Sequence, residues 1–434
     1  MTPFHQHKLA NSLALALGMA VIGSFVSPIA GGFQSDNFSH ANLSFYLDKS
    51  GNRQRIKTTD DWNKRRFQIL ESTHLAMGNF PPGSISIPVT SREVAKTSYD
   101  EFEVMTIVLT SKNQVPIHAD LYVPNFAKAK NAKLPAMLAL HPTGSPGKKI
   151  IGGTSPKPNR QYANELAKRG YVVIAPDYPS FGDSSDHKFA TDGFDSGTML
   201  GIVNHKRCID FLESVEFVDR DRIGVIGHSL GGHNAIFTAV HEPRLKVIVS
   251  SCGWTPFHDY YGGKIAGWTS DRYMPFLKTK FHLNADLVPF DFYELVAALA
   301  PRPFFSNAPK SDSNFDVDGV KKAIARARPI YSLFDATDNL RVTYPPCGHD
   351  FPSEIREKAY SFIDKALDHQ PSNKIGFDSE LPRLTPLSPK NALDSFNRRQ
   401  ISLVASEPAI TDPIALAFDS RKRMYVVEMK DYSE

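Results

Sequence analysis

The chain has 434 residues, enough for one large domain with additions or for two or three domains. Hydrophobic residues make up 41% and charged residues 22%, which excludes wholesale disorder; a formal net charge of +4, with no basic run interleaved with aromatics, excludes a nucleic-acid groove. The three cysteines, Cys208, Cys252 and Cys347, match no metal or redox spacing and allow at most one disulfide.

In residues 1–32 a lone Lys8 precedes the apolar run Leu13 to Val26, followed by Pro28, Ala30, Gly31 and Gly32. The run is shorter than the roughly 20 residues that span a bilayer, so it predicts a cleaved secretory signal rather than an anchor, and a secreted or periplasmic protein without a stable membrane span. Residues 33–98 form an N-terminal extension in which "TTDDWNKRRFQILESTHLAMG" reads as one capped helix ending at Gly78. The β-branched runs "FEVMTIVLT" and "VPIHADLYVP", parted by the polar turn "SKNQ", predict a hairpin.

From Lys133 short apolar runs alternate with amphipathic ones. "PAMLALH", "YVVIAPD", "RIGVIGHS", "LKVIVSSCGW", "PRPFFSNAP" and "NLRVTYPPCGHD" read as strands, with helices between most of them. Apolar strands of this kind predict an α/β class: a mostly parallel sheet with helices on both faces, over a domain of residues 99–370. The aromatic insertion Gly253 to Leu299 is a candidate lid. The proline-rich 371–398 reads as a linker. Residues 399–434 return to β-type alternation but are too few to bury a core, so they read as the truncated start of a β-rich domain.

The stretch "RIGVIGHSLGGHNAIF", Arg222 to Phe237, runs from an apolar strand through Gly227-His228-Ser229-Leu230-Gly231 into a helix. Flanking glycines let backbone crowd around a strained serine whose hydroxyl stands clear, which makes Ser229 the candidate nucleophile. Serine needs a histidine to take its proton and a carboxylate to orient that histidine, and in this architecture the chain order is Ser, acid, His. His349 lies just past the last strand and is the candidate base. In the loop "KSDSNFDVDGV" Asp312 is the candidate acid with Asp316 in reserve, since Asp316 and Asp318 suit the capping of the helix that follows. Leu230 and Thr143 are the expected oxyanion N–H donors, because Pro142 has none to give, and His141 shapes that loop. Asp177, Tyr178 and Phe181 either line the pocket or order their own loop, and Trp254, Tyr260, Tyr261, Trp268 and Tyr273 either stack on a sugar ring or fill the lid; His141, Asp177, Tyr178 and Trp254 are the substrate-binding candidates.

Together the Ser229 elbow, "HPTG", "PDYPSFGDS", the Asp312 loop and "GHDFP" resemble the α/β-hydrolase superfamily, in particular the branch of dienelactone hydrolases, acetyl xylan esterases and prolyl oligopeptidase catalytic domains, over about Asp100 to His369. The resemblance implies a Ser-His-Asp hydrolase acting through an acyl-enzyme, with no metal or organic cofactor. Pro142 stands where many relatives have glycine, and serine stands where dienelactone hydrolases carry cysteine. The C-terminal "LVASEPAITDPIALAFDSRKRMYVVEMKDY" resembles the opening of the β-propeller in exported dehydrogenase-like proteins of planctomycete and verrucomicrobial type. The first expectation is an exported carboxylic ester hydrolase taking a small-molecule or oligosaccharide ester; a prolyl oligopeptidase-like peptidase and a non-catalytic binding module are the alternatives.

Overall fold

The computed structural model describes residues 39–84, 88–112, 114–127, 133–154 and 157–371, and the backbone of two later strands. The expected signal, and the expected linker beyond its first residue, lie outside the described residues.

Strands β1 (Phe45–Leu47) and β2 (Arg53–Arg55) pair antiparallel ahead of helix α1 (Thr59–Met77). The "TTDD" start works as a capping box: the Thr58 hydroxyl accepts from the Asp61 N–H while the Asp61 carboxylate accepts from the Thr58 N–H. Trp62, Arg65, Ile69, Ser72, Thr73, Ala76 and Met77 then fall on one buried face at helical spacing.

The main body contains β3 (Thr90–Ser98), β4 (Phe102–Thr110), β5 (Ile117–Pro124), β6 (Leu134–Leu140), α2 (Tyr162–Lys168), β7 (Val172–Pro176), α3 (Gly197–Ser214), β8 (Val218–His228), α4 (Leu230–His241), β9 (Leu245–Ser251), α5 (Phe276–Thr279), α6 (Phe292–Ala298), β10 (Phe304–Asn307), α7 (Val317–Leu333), β11 (Leu340–Thr343) and α8 (Ser353–Ala366). One nine-stranded sheet runs in the order β11-β10-β9-β8-β6-β7-β5-β4-β3. It is parallel from β11 to β7 and antiparallel from β5 outward. Every residue of β6 and β7 is buried, as expected of strands covered on both faces. Alternate residues of β6 enter opposite cores: Leu138 packs with Ile174, Val225 and Ile236, while Met137 and Ala139 pack with Val173, Ile226 and Tyr360.

The sheet is also longer than the apolar runs predict. All of β3, "TSREVAKTS", is exposed, so no hydrophobic pattern marks it; it is held by its ladder to β4, which is irregular at Val94. Near the C-terminus β12 (Pro413–Phe418) and β13 (Met424–Glu428) pair antiparallel.

The 253–299 insertion is anchored to the N-terminal extension through charges. Glu294 of α6 pairs with Arg65 of α1 and with His40 Nδ1 at 2.8 Å, and His40 Nε2 bonds the Val288 carbonyl at 2.8 Å. Asp291 caps α6, and burial pushes its carboxyl up to about 7. Burial would lower the His40 imidazole, but Glu294 and Asp291 outweigh it, so it too is raised. Burial opposes the Glu294 charge, yet His40 and Arg65 hold its carboxyl below the usual range.

Two outcomes follow for stability. Arg65→Ala leaves Glu294 short of a cation in a buried site and is expected to cost about 3–5 kcal/mol in urea unfolding. Asp291 and His40 both bind protons more tightly folded than unfolded, so their stabilisation is full at low pH and is lost as pH rises through about 7 and beyond. Glu294 acts oppositely, losing its contribution only on the acid side. The Asp291 contribution therefore shows as a difference: relative to the parent, Asp291→Asn should gain in urea midpoint as pH rises from about 5 to about 8, while buried neutral histidines such as His228 and His233 pull both proteins the opposite way.

Candidate active site

Strand β8 ends at His228, and Ser229 takes φ 54°, ψ −119° before α4 begins at Leu230. The turn is tight enough that a methyl group on Gly227 would sit 2.2 Å from the Gly231 carbonyl, and one on Gly231 would sit 1.9 Å from the Leu140 oxygen. Both glycines are required by backbone contact rather than by flexibility. The Ser229 N–H donates to the Ser251 carbonyl (2.8 Å) and its carbonyl accepts from the His233 N–H (2.9 Å), so the strained residue is fixed at both ends. Ser229 itself is partly exposed.

The structure brings the three candidate residues together. His349 Nε2 lies 2.9 Å from Ser229 Oγ, and His349 Nδ1 lies 2.9 and 3.0 Å from the two carboxylate oxygens of Asp312. A carboxylate opposite Nδ1 places the proton there, which leaves the Nε2 lone pair facing the serine. Asp312 also accepts from the N–H groups of Asn314 (2.8 Å) and Phe315 (3.2 Å), and its side chain is 1% exposed. Asp316 is elsewhere: it caps α7, accepting from the Gly319 N–H at 2.8 Å.

The histidine loop is held by residues the sequence did not single out. Arg160 donates to the His349 carbonyl (3.1 Å) and pairs with the Asp350 carboxylate (2.5 Å). Asn307 Nδ2 donates to the Asp350 carbonyl (2.8 Å) and to Ser251 Oγ (2.9 Å), and the Cys252 thiol donates to the same carbonyl (3.3 Å). His228, with its ring 5.0 Å from that of His349, is held neutral by burial, so it places no cation beside the base. Arg160 and Asn307 lie far from His349 in the chain and belong to no local motif, so only folding reveals them.

Leu230 is the first residue of α4, and Thr143 is exposed in the loop after β6. His141 is buried in that loop: Nε2 accepts from the Tyr178 N–H (2.9 Å), so Nδ1 carries the proton and donates to the Pro142 carbonyl (2.7 Å). The expectation that Asp177 lines the pocket is corrected by its burial. Its carboxylate accepts from the N–H groups of Lys148 (2.7 Å) and Asp183 (2.9 Å) and pairs with Lys148 Nζ (2.5 Å), with both side chains 0% exposed. It fastens two loops together, and Gly147 and Gly182 are glycines because a Cβ there would meet this carboxylate at 2.1 Å. Burial would lower the Lys148 ammonium, but Asp177, Asp183 and Asp120 hold it raised. Tyr178 is nearly buried and its hydroxyl donates to the Arg272 carbonyl (2.6 Å).

Trp254 is likewise corrected: it is 1% exposed, its indole N–H donates to Ser306 Oγ (3.1 Å), and it stacks with Phe292, so no face is left for a substrate. Other aromatics pack near His349 and are mostly buried: Trp268 of the insertion is 5% exposed and Phe315 of the acid loop 8%. Phe315 lies 5.9 Å from the His349 ring and 6.0 Å from Trp268, which adjoins Tyr260 and Tyr273; Tyr273 packs on the Phe181, Tyr178 and Leu230 cluster. Among the described residues, Cys252, Asp312 and His349 form a group whose metal-type ligand atoms lie within 4.8 Å of one another, although His349 and Asp312 already bond each other. The cysteines are free, Cys208 within α3 and Cys252 just past β9.

Sheet order, elbow and loops define an α/β-hydrolase fold, and the chain is an enzyme of the serine hydrolase type. Residues 113–276 match the family model of X-Pro dipeptidyl-peptidases (S15 family), and residues 388–434 match a domain of unknown function, DUF7133. The chain is 27% identical over 304 residues to "Putative hydrolase YtaP" of Bacillus subtilis, which spans 66% of this chain and 95% of that one. A glucuronoyl esterase from Solibacter usitatus superposes with a TM-score of 0.59 at 20% identity, covering 76% of this chain and 98% of its own. A structure described as a putative acetyl xylan esterase from Bacteroides fragilis does so with 0.50 at 17% identity, covering 70% and 78%.

Asp177→Ala would leave the Lys148 ammonium buried with only the partly exposed Asp183 beside it. The expected loss is about 3–5 kcal/mol in urea unfolding, with Asp177→Asn losing less because the amide oxygen still accepts one loop N–H.

Proposed function

We propose that this enzyme is an exported carboxylic ester hydrolase, similar in action to an acetyl xylan esterase, that cleaves acyl groups from a decorated polysaccharide or its oligomers. The observation that carries the reading is the continuous hydrogen-bonded run from Asp312 through His349 to Ser229. As Ser229 Oγ bonds the acyl carbon, its proton passes to His349 Nε2, and the imidazolium is stabilised by Asp312. His349 returns that proton to the departing alcohol oxygen as the ester C–O bond breaks, leaving an acyl-serine. Water, deprotonated by His349, then attacks the acyl-serine, and the carboxylic acid departs as Ser229 recovers its proton. The N–H groups of Leu230 and Thr143 would hold the oxyanion in both steps. The carbohydrate esterases among the structural neighbours support a saccharide ester. The apolar run Leu13 to Val26 supports export, and among the described residues no helix is long and apolar enough to cross a membrane.

The match to X-Pro dipeptidyl-peptidases over 113–276 favours a second reading, in which the same residues cleave a peptide bond. Ser229→Ala and His349→Ala should each lower kcat/KM for 4-nitrophenyl acetate by about ten-thousand-fold or more, and Asp312→Asn by a similar factor. Asp316→Asn should stay near the parent. Parent-like activity in Ser229→Ala would end the ester reading, and faster cleavage of Xaa-Pro 4-nitroanilides than of acetate esters would put the peptidase first.

A further inference from the structure

Arg272 lies in the insertion, on a segment fastened to the start of α3. The Gly197 N–H donates to the Asp271 carbonyl (2.9 Å), the Thr198 N–H to the Tyr273 carbonyl (3.2 Å), and the Tyr178 hydroxyl to the Arg272 carbonyl (2.6 Å). The contact is close enough that a methyl group on Gly197 would sit 2.4 Å from the Arg272 oxygen. The guanidinium is held as firmly as its backbone: Nε donates to Ser180 Oγ (2.7 Å), and its centre lies 4.4 Å from the Phe181 ring centroid. Phe181 in turn packs with Tyr178 and with Leu230, the residue after Ser229, and its ring stands 5.7 Å edge-on to His141.

Neither restraint uses the two terminal nitrogens. Among the described residues no carboxylate pairs with Arg272, and its terminal nitrogens have no hydrogen-bond partner yet are not buried. Lys148, Arg160 and Arg356, by contrast, are engaged by carboxylates: Lys148 by Asp177 and Asp183, Arg160 by Asp350, and Arg356 by Glu165. A guanidinium fixed over an aromatic ring, with a free fork toward solvent, is already ordered for bidentate contact with a planar anion. The fork matches a carboxylate in bidentate fashion, and on a saccharide ester the acid group that supplies one is a uronate.

We infer that Arg272 forms an anion subsite of the active-site pocket and that the preferred substrates are esters of acidic saccharides whose free uronate carboxylate this guanidinium grips. The inference rests on the ester hydrolase reading and names the substrate class within it. Tyr273, which is partly exposed, packs on the same Phe181 cluster and offers apolar surface for the sugar ring, with the buried Trp268 and Phe315 behind it toward His349, while Arg272 fixes where the acid group stands relative to Ser229.

The experiment compares binding of methyl glucuronoside and methyl glucoside to the folded full chain by titration calorimetry, which needs no turnover. The expected result is binding of the acidic glycoside roughly tenfold to a hundredfold tighter than the neutral one, weakening as salt rises. In Arg272→Ala the ratio should fall to about one, and Arg272→Lys, which keeps charge but lacks the fork, should restore only part of it. Equal binding of the two glycosides by the parent, or a ratio that survives Arg272→Ala, would overturn the inference. If Arg272→Ala does not fold, Arg272→Gln is measured in its place, and a ratio unchanged from the parent would overturn the inference equally. Loss of the ester reading shows separately, as undiminished hydrolysis in Ser229→Ala.

Discussion

Backbone against backbone at the start of α4 is the contact on which the rest of the site depends. Gly231 presses on the Leu140 carbonyl and Gly227 on Gly231, so the end of β8, the start of α4 and the loop after β6 are locked into one arrangement. The same approach sets Leu230 and Thr143 on neighbouring segments and forces Ser229 into a positive φ that lifts its hydroxyl clear. The parallel strands supply the rigidity that holds this strain, since β6, β7 and the inner half of β8 are buried on both faces and cannot yield.

Around that contact, buried charges act as fasteners. Asp177 and Lys148 tie the loop after β6 to the loop after β7; Arg160 and Asp350 fix the histidine loop; Glu294, Arg65 and His40 bind the insertion to the N-terminal extension. Each joins segments distant in sequence, and in the Asp177–Lys148 and Glu294–Arg65 pairs both partners are buried enough that removing one strands the other. The aromatic insertion is thereby held over the site by its base while Tyr260, Tyr261 and Tyr273 keep partial exposure. In the proposed reaction His349 moves the proton while Asp312 orients it and stabilises the imidazolium, and these fasteners keep both in place beside Ser229.

Much of this was legible beforehand. The parallel strands announced themselves as short apolar runs, the elbow as glycines around a serine between strand and helix, and the cap of α7 as Asp316 ahead of a helical repeat. Asp312 was separable from Asp316 only by its place nearer the strand end, and the structure separates them by partner: one accepts from His349, the other from Gly319. Strand β3 was not legible, because an edge strand exposed on both faces carries no apolar alternation. Trp254 and Asp177 were misplaced for a related reason: aromatic or charged identity does not say whether a side chain ends in a core or a pocket, and here an indole N–H found Ser306 and a carboxylate found Lys148.

Local pattern along the chain encodes the α/β alternation, the strained serine, and a histidine and an aspartate on loops that follow strands in the order this architecture uses. Only the tertiary structure decided which side chains meet, because hydrogen-bond reach is a few ångströms while the partners are separated by 120 residues between Ser229 and His349 and by 190 between Arg160 and Asp350. That is also why Arg272 carries no local signal in the chain: folding sets it over Phe181, which packs on Leu230, the residue after the nucleophile.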